Sequence, residues 1–458
     1  MRIAYITAGA AGMYCGSCLH DNTLAAALLE LGEDVLLVPT YTPLRTDEAN
    51  VAIDRIFFGG INVYLQEKVP LFRHTPWWFD QLLDSPTLLN ALSGRAGSVD
   101  PAQLGDMTVS MLRGELGNQR KEVEKLVHWL LTDVKPDVVH LSNSMQIGMA
   151  RLIRERCGPP VVCQLSGEDI FLEKLTPPHY EQARSLLRER AADVDAFVAL
   201  NNYYADFMAA YLAVDRTRIQ VIPHGLKLDG HRPLVLQQSD SLPPASTYSD
   251  SLPLAGRAGE GDKPRHPTTP RIIGYLARIC EDKGLHLLVE ACQLLAQRAG
   301  LPPFELHAAG YLGSGDKPYL ERLKTQASSG PLADRFKYIG ELDRPGKIAF
   351  LQSLDIFSTP TVYRESKGLP ALEALANAVP VVLPDHGSFS EMITNTAGGL
   401  LHRPLDPVDL AEKIAELLRD PIRAGLLGVT GQLAIQDRYH AAMMARQTAD
   451  LYRRLIRG

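Results

Sequence analysis

Short β-branched runs alternate with longer amphipathic segments almost throughout the chain, the pattern of parallel strands joined by crossover helices. RIAYIT (2–7) reads as the first strand, LHDNTLAAALLELG (19–32) as a helix stopped by Gly32, and EDVLLVP (33–39) as the second strand. PDVVHLS (136–142), PPVVCQLS (159–166), DAFVALN (195–201) and IQVIPHG (219–225) continue the series. The region 55–125 departs from this rhythm, and its VPLFRHTPWWFDQLL reads as an insertion decorating the first domain. After Leu228 the alternation dissolves into SDSLPPASTYSDSLPLAGRAGEGDKPRHPTTP (239–270), a Pro/Ser/Gly-rich stretch that buries too little apolar surface to order itself. RIIGYLA (271–277) restarts the pattern, and FELHAAG (304–310), FKYIG (336–340), LDIFSTP (354–360), VPVVLP (379–384) and GGLL (398–401) extend it. RYHAAMMARQTADLYRRLIRG (438–458) reads as one long terminal amphipathic helix.

The expected fold class is therefore α/β, with two Rossmann-like doubly wound domains facing across a cleft at their strand C-terminal ends. The divisions read as 1–230 with the insertion at 55–125, a flexible linker or loop at 231–270, a second domain at 271–437 and the terminal helix at 438–458. A chain of 458 residues is too long for one core, which agrees with that division. With 45% apolar and 22% charged residues the composition is that of a globular protein. No apolar run approaches the ~20 residues that span a bilayer. The first apolar run breaks at Gly9 and Gly12 and lacks the leucine-rich centre of a secretory leader, so a cytoplasmic location is expected. A net charge of −6 gives no global basic field for nucleic acid but permits a local cationic pocket. The six cysteines are expected as free thiols.

Two stretches carry candidate chemistry. In YRESKGLPALEALANAVPVVLP (363–384), Pro370 suits the first position of a helix and Gly368 lets the backbone turn tightly just before it. The free amides and positive dipole end of that helix form an anion site, with Glu365 in the loop before it and Glu373 in its first turn. Two carboxylates bracketing a phosphate-binding helix start are suited to accept sugar hydroxyls; equally, they are two solvated glutamates on a capped helix. In GYLARICEDKG (274–284), Arg278 and Lys283 flank a strand-to-helix loop, and both could converge on a diphosphate.

Together ARICEDKG, YIGEL (338–342), ESKGLPALEALANAVPVVLPDHGSFSEMI (365–393) and GGLLHRPLDP (398–407) resemble the donor-binding half of family 4 glycosyltransferases, retaining enzymes of the two-domain GT-B fold. Glu365 and Glu373 match that family's pair of glutamates separated by seven residues. The resemblance implies a nucleotide-diphosphate-sugar donor, an unidentified acceptor hydroxyl on a glycan, lipid or small molecule, no metal and no cofactor. It also implies a C-terminal helix that crosses back to the first domain. Arg278 and Lys283 would neutralise the diphosphate, Glu365 would hold sugar hydroxyls, Gly368 and Leu369 would approach sugar and phosphates through their backbone, Glu373 would bind the ribose, and Ile339–Gly340 would lie near the base. Arg278, Lys283 and Glu365 are thus the catalytic candidates.

Ser166–Gly167, followed by Glu168 and Asp169, stands where the family usually carries His-Gly, and Lys367 where an aromatic residue is frequent. Asp193 and Asp195, an Asp-x-Asp, precede a strand and so fall at the wrong sheet edge for catalysis. AGAAGMYCGSCLHDN (8–22) occupies the first strand-to-helix loop, where Gly12 and Gly16, with Ser166, are further donor-binding candidates. Its glycines lack the G-x-G-x-x-G spacing of a dinucleotide site. Cys15 and Cys18 stay open between loop-shaping thiols, a redox pair and a zinc site, the last requiring Cys157 and Cys163 as well. The acceptor is expected against the 55–125 insertion, with Trp77, Trp78 and Phe79. A sugar synthase or phosphorylase of the same fold, acting on sucrose, trehalose or glucan, is the alternative enzyme; a catalytically idle sugar-nucleotide binder is the alternative class. Peripheral association with the inner membrane face is compatible with either, and oligomeric state is open.

Overall fold

The computed structural model describes residues 1–9, 15–58, 63, 65–67, 70–73, 104–234 and 269–458. Gly12, Trp77, Trp78, Phe79 and most of the 231–270 segment lie outside these residues. By compactness the chain forms two units: Met1–Lys227 with Glu365–Lys367 and Arg438–Gly458, and Leu228–Arg364 with Gly368–Asp437.

In the first unit six strands, β1 (Arg2–Thr7), β2 (Asp34–Pro39), β3 (Val138–Leu141), β4 (Val161–Gln164), β5 (Ala196–Ala199) and β6 (Ile219–Val221), make a sheet of order β2-β1-β3-β4-β5-β6. In the second, β7 (Arg271–Leu276), β8 (Phe304–Ala309), β9 (Phe336–Gly340), β10 (Ile356–Phe357), β11 (Val381–Pro384) and β12 (Gly399–His402) make β12-β11-β10-β7-β8-β9. All pairings are parallel. Strands such as VVHL, VVCQ and VVLP are buried at every position, as central strands covered by helices on both faces must be. Each strand inferred from the alternation is present, trimmed by a residue or more at most ends.

Both sheets reverse winding once. The chain runs from β1 to β2 on one side and then crosses to β3 on the other; likewise β7, β8 and β9 run one way before β10 crosses to the far side of β7. Such a reversal leaves adjacent strand ends whose outgoing loops diverge, and the crevice between them is where doubly wound sheets bind ligands. The helices that matter here are α1 (Gly16–Glu30), α2 (Leu285–Ala296), α3 (Arg344–Ser353), α4 (Leu369–Ala376), α5 (Pro421–Arg438) and α6 (Ala441–Arg457).

The expected single helix over 438–458 is instead the end of α5, a break at Tyr439–His440, and α6. Leu226 causes the break: its N–H donates to Tyr439 O at 2.7 Å and its carbonyl accepts from Ala441 N at 2.9 Å, so these residues pair as a β-bridge and cannot continue a helix. His440 then caps α6, its Nδ1 accepting from Met443 N at 3.3 Å. The α6 helix packs in the first unit, where Met444, Ala445, Ala449, Leu451 and Tyr452 share a buried cluster with Ile3, Tyr5, Leu24 and Val138.

Candidate active site

In the second unit the loops leaving β7 and β10 emerge at the winding reversal and are locked together. After β7 a single turn, Glu281–Lys283, leads to Gly284, whose φ of 77° starts α2. A Cβ on Gly284 would sit 1.8 Å from Pro360 O, so only glycine allows the two loops this approach. Val362 N–H donates to Asp282 O at 3.0 Å across the same seam. The buried Tyr275 hydroxyl reaches the carbonyls of Arg278 (3.2 Å) and Lys283 (3.4 Å), tying both ends of the cationic loop to one point. Lys283 is half-buried; its ammonium bonds the Tyr363 hydroxyl and lies 4.9 Å from that ring's centre. Arg278 is exposed, with Nε 3.3 Å from Cys280 Sγ.

The helix of the ESKGLPALE stretch begins at Leu369, one residue before Pro370, with Gly368 as its cap at φ 67°. A side chain at Gly368 would meet Met392 Cε at 2.6 Å and Phe389 Cε1 at 2.8 Å. The amides of Ala371 and Leu372 turn back onto Gly368 O at 3.0 and 3.2 Å, and Pro370 has no N–H. The amides of Gly368 and Leu369 are therefore the donors this turn offers to a ligand. Gly340 ends β9, with φ 98° and a half-exposed Ile339 (43%) beside it. It is two strands from β7, or about 10 Å at ordinary strand spacing.

Glu373 departs from expectation. It is the fifth residue of α4 rather than part of its first turn, it is buried (5% exposed), and its Oε1 accepts from Lys347 Nζ of α3 at 2.5 Å. Glu365 is buried too, its Oε1 accepting the amides of Ser366 (3.1 Å) and Lys367 (3.2 Å). Neither carboxylate is a solvated glutamate standing free at the helix start. Lys347, which holds Glu373, escaped the sequence reading because it belongs to no motif; Tyr363, which holds Lys283, opens the YRESKG stretch but nothing in its spacing pointed to Lys283.

In the first unit Gly16 opens α1 and Cys15 caps it. Lys367 Nζ donates to Ser17 Oγ at 2.5 Å, and Lys367 Cδ would lie 4.0 Å from a Cβ on Gly16. Asn201 Nδ2 donates to Ser366 O at 2.7 Å. Ser166 sits in the loop after β4 with its hydroxyl committed to Ser142 O (3.1 Å) and its amide to Glu168 Oε2 (2.6 Å). Glu168 Oε1 accepts from Ser144 N at 2.8 Å, so this buried carboxylate joins the loops after β3 and β4. Tyr204 OH donates to Asp169 Oδ1 at 2.6 Å and accepts from Gly167 N at 2.8 Å. Burial pushes the Asp169 carboxyl up to about 6, against the opposing Tyr204 bond. Glu168 and Asp169 adjoin Ser166 in sequence, a signal that could have marked them; Tyr204 gave none.

Asp193 pairs with Arg151 at 3.1 Å, and Asp195 accepts from Val161 N at 2.7 Å where β4 begins. Among the described residues no three His, Cys, Asp or Glu side chains group to hold a metal ion, and no helix is long and apolar enough to cross a membrane.

The family model for glycosyl transferases group 1 matches residues 259–428, and that for the glycosyl transferase 4-like domain matches 22–225. The chain is 30% identical over 192 residues to the amylovoran biosynthesis glycosyltransferase AmsK of Erwinia amylovora, covering 41% of this chain and 45% of that protein. It is 26% identical over 341 residues to the D-inositol 3-phosphate glycosyltransferase of Nocardia farcinica, covering 72% of this chain and 66% of that one. The chain thus spans about half to two thirds of the length of the curated relatives it matches. Among solved structures it is similar to sucrose-phosphate synthase of Thermosynechococcus elongatus, with TM-score 0.69, 18% identity and coverage of 99% of this chain and 98% of that one. Anabaena HepE in complex with UDP follows, with TM-score 0.62, 16% identity and coverage of 98% and 99%. The two family matches take in β2–β6 and β7–β12 in turn, the structural likeness runs nearly end to end, and the chain belongs to the family 4, or group 1, glycosyltransferases of GT-B fold.

Proposed function

We propose that the protein is a retaining glycosyltransferase that moves a sugar from a nucleotide-diphosphate donor to an acceptor hydroxyl. The observation that carries this reading is the winding reversal of the second sheet, where the loop bearing Arg278 and Lys283 is locked against the loop from β10. That loop leads into the bare amides of Gly368 and Leu369 at the start of α4. Cations and backbone donors on a rigid frame suit a diphosphate, and they act most strongly as its charge grows. When the bond between the anomeric carbon and the phosphate oxygen breaks, Arg278 and Lys283 stabilise the departing nucleoside diphosphate. The acceptor oxygen bonds the same face of the sugar, and its proton passes to the leaving phosphate. Glu373, steadied by Lys347, has Oε2 available for the ribose hydroxyls, and Ile339–Gly340, at the end of β9 about 10 Å from β7, flank the base. Glu365 and the backbone around Gly16 and Ser166 serve the sugar. No metal takes part in this scheme.

Uridine is the favoured base, because the neighbour HepE is described in complexes with UDP and with UDP-glucose. A second reading, a sugar synthase, is favoured by the neighbour sucrose-phosphate synthase and the relative alpha-maltose-1-phosphate synthase of Mycolicibacterium smegmatis. Calorimetric titration with UDP, GDP, ADP and their sugar conjugates, with and without EDTA, tests the donor site. One nucleotide sugar should bind selectively and equally well in EDTA; binding of none would remove the proposed diphosphate site. Turnover with a sugar phosphate as sole acceptor would select the synthase reading, and the anomeric proton coupling of the product decides retention.

A further inference from the structure

The thiols of Cys15 and Cys18 play no part in that reaction. Cys15 is the partly exposed cap of α1, and Cys18, the third residue of the helix, is 2% exposed. A hydrogen bond from the Cys18 side chain to the Cys15 sulfur, helped by the Lys367 ammonium and by the amides of Cys18 and Ser17, holds the Cys15 thiol well below its ordinary range. The same bond, with burial and the nearby Cys15 charge, pushes Cys18 up. This is the division of labour a dithiol needs, with a thiolate favoured at the partly exposed Cys15, against the pull of burial, and a protonated partner beneath it. Burial alone pushes Cys292 up and dominates at Cys157 and Cys163.

One helical turn beyond Cys18, on the same face of α1, lies Asp21, 1% exposed. Tyr5 OH donates to its Oδ1 at 2.8 Å and Thr7 Oγ1 to its Oδ2 at 2.6 Å. Burial outweighs both bonds and brings its carboxyl up to about 7, and its charge is one of those Cys18 feels. A buried carboxyl that titrates near neutrality beside a protonated thiol is a proton acceptor in waiting.

We infer that Cys15 and Cys18 form a thiol–disulfide exchange centre for low-molecular-weight disulfides of the glutathione type, with Cys15 attacking, Cys18 resolving and Asp21 accepting the resolving thiol's proton. In the first step the Cys15 thiolate attacks one sulfur of the disulfide. The S–S bond breaks and the released thiolate takes a proton from water. In the second, Cys18 gives its proton to Asp21 and attacks Cys15 Sγ, expelling the second thiolate, which takes that proton up. Two protein thiols are oxidised to one disulfide, and one small-molecule disulfide is reduced to two thiols.

The test uses the full-length reduced protein in glutathione buffers of increasing disulfide fraction, quenched by alkylation and mapped by mass spectrometry. A Cys15–Cys18 disulfide should form first and reopen with dithiothreitol, while the other four cysteines stay open to alkylation once the quenched chain is unfolded. In Cys18→Ser one glutathionyl group should accumulate on Cys15, on the order of 10-fold faster than on the same chain unfolded in urea. In Asp21→Asn the adduct should form at the wild-type rate but close about 10-fold or more slowly. Free Cys15 and Cys18 in disulfide-rich buffer, or adducts spread evenly over all six cysteines, would overturn the inference. So would a folded Cys18→Ser that takes up no glutathione. Should that variant fail to fold, the wild-type map decides alone. Equal closing rates in wild type and Asp21→Asn would overturn the role of Asp21.

Discussion

At the winding reversal of the second sheet the cations of the β7 loop stand at or near the surface, and at that of the first the titratable groups of α1 and β3 lie beneath it. Arg278 is exposed and Lys283 half-buried on a loop pinned by Tyr275, Gly284 and the backbone of the β10 loop. Below α1, by contrast, Asp21, His20 and His140 are all buried, with His20 Nδ1 2.7 Å from His224 Nδ1 and His140 bonded to the Tyr452 hydroxyl. Two sheets with the same winding plan thus treat polarity in opposite ways. A rigid frame with its cations in water gives them up to an anion at little cost. A buried network must satisfy itself, and its members titrate far from their ordinary ranges. Burial holds His140 down at about 3 and Asp21 up at about 7.

Substitutions at four residues would break or sharpen this contrast. Glu373→Ala has the largest expected effect: it removes one half of a buried ion pair with Lys347 and should cost about 3–5 kcal/mol in denaturant unfolding. Glu373→Gln retains a hydrogen-bond partner and separates that cost from the ribose role, read as nucleotide affinity. Lys283→Met should lower turnover about 10²–10³-fold with little change in melting temperature, since in the proposed donor site its charge serves the ligand rather than folding. A large stability loss instead would make that loop resemble the buried network.

For Asp21 the prediction concerns slope. Its folded-state value is raised, so its contribution to stability is complete below the unfolded carboxylate range and is lost as pH rises towards 7. Wild type should therefore lose about 2 kcal/mol relative to Asp21→Asn between about pH 5 and 7. Parallel unfolding curves for the two would deny the buried titration. Tyr452→Phe, the smallest, leaves His140 without its recorded partner on Nδ1, while Nε2 already has none among the described residues, and should cost about 1–2 kcal/mol by thermal melts.

The sequence pattern made the strands legible because a parallel strand covered on both faces must be apolar throughout, and VVHL or VVLP states that locally. The start of α4 was legible through Gly368 and Pro370, whose backbone preferences are their own. Partnerships between distant residues were not. Lys347 meets Glu373 across 26 positions and His140 meets Tyr452 across 312, and nothing near either residue announces the other. The break at Tyr439–His440 was hidden for the same reason, since RYHAAMM is a sound helical sequence that gives way only because Leu226 claims its backbone. Propensity is a local quantity, and tertiary pairing overrides it where the two conflict.

The return of α6 to the first unit has a consequence for biosynthesis. A ribosome makes β1 long before α6, yet Ile3, Tyr5 and Val138 are buried against Met444, Ala445 and Tyr452. While the second unit is being translated, the first must wait with an apolar face uncovered, and its core closes only once α6 has left the exit tunnel. The half of the molecule that is synthesised first is the half whose folding is completed last.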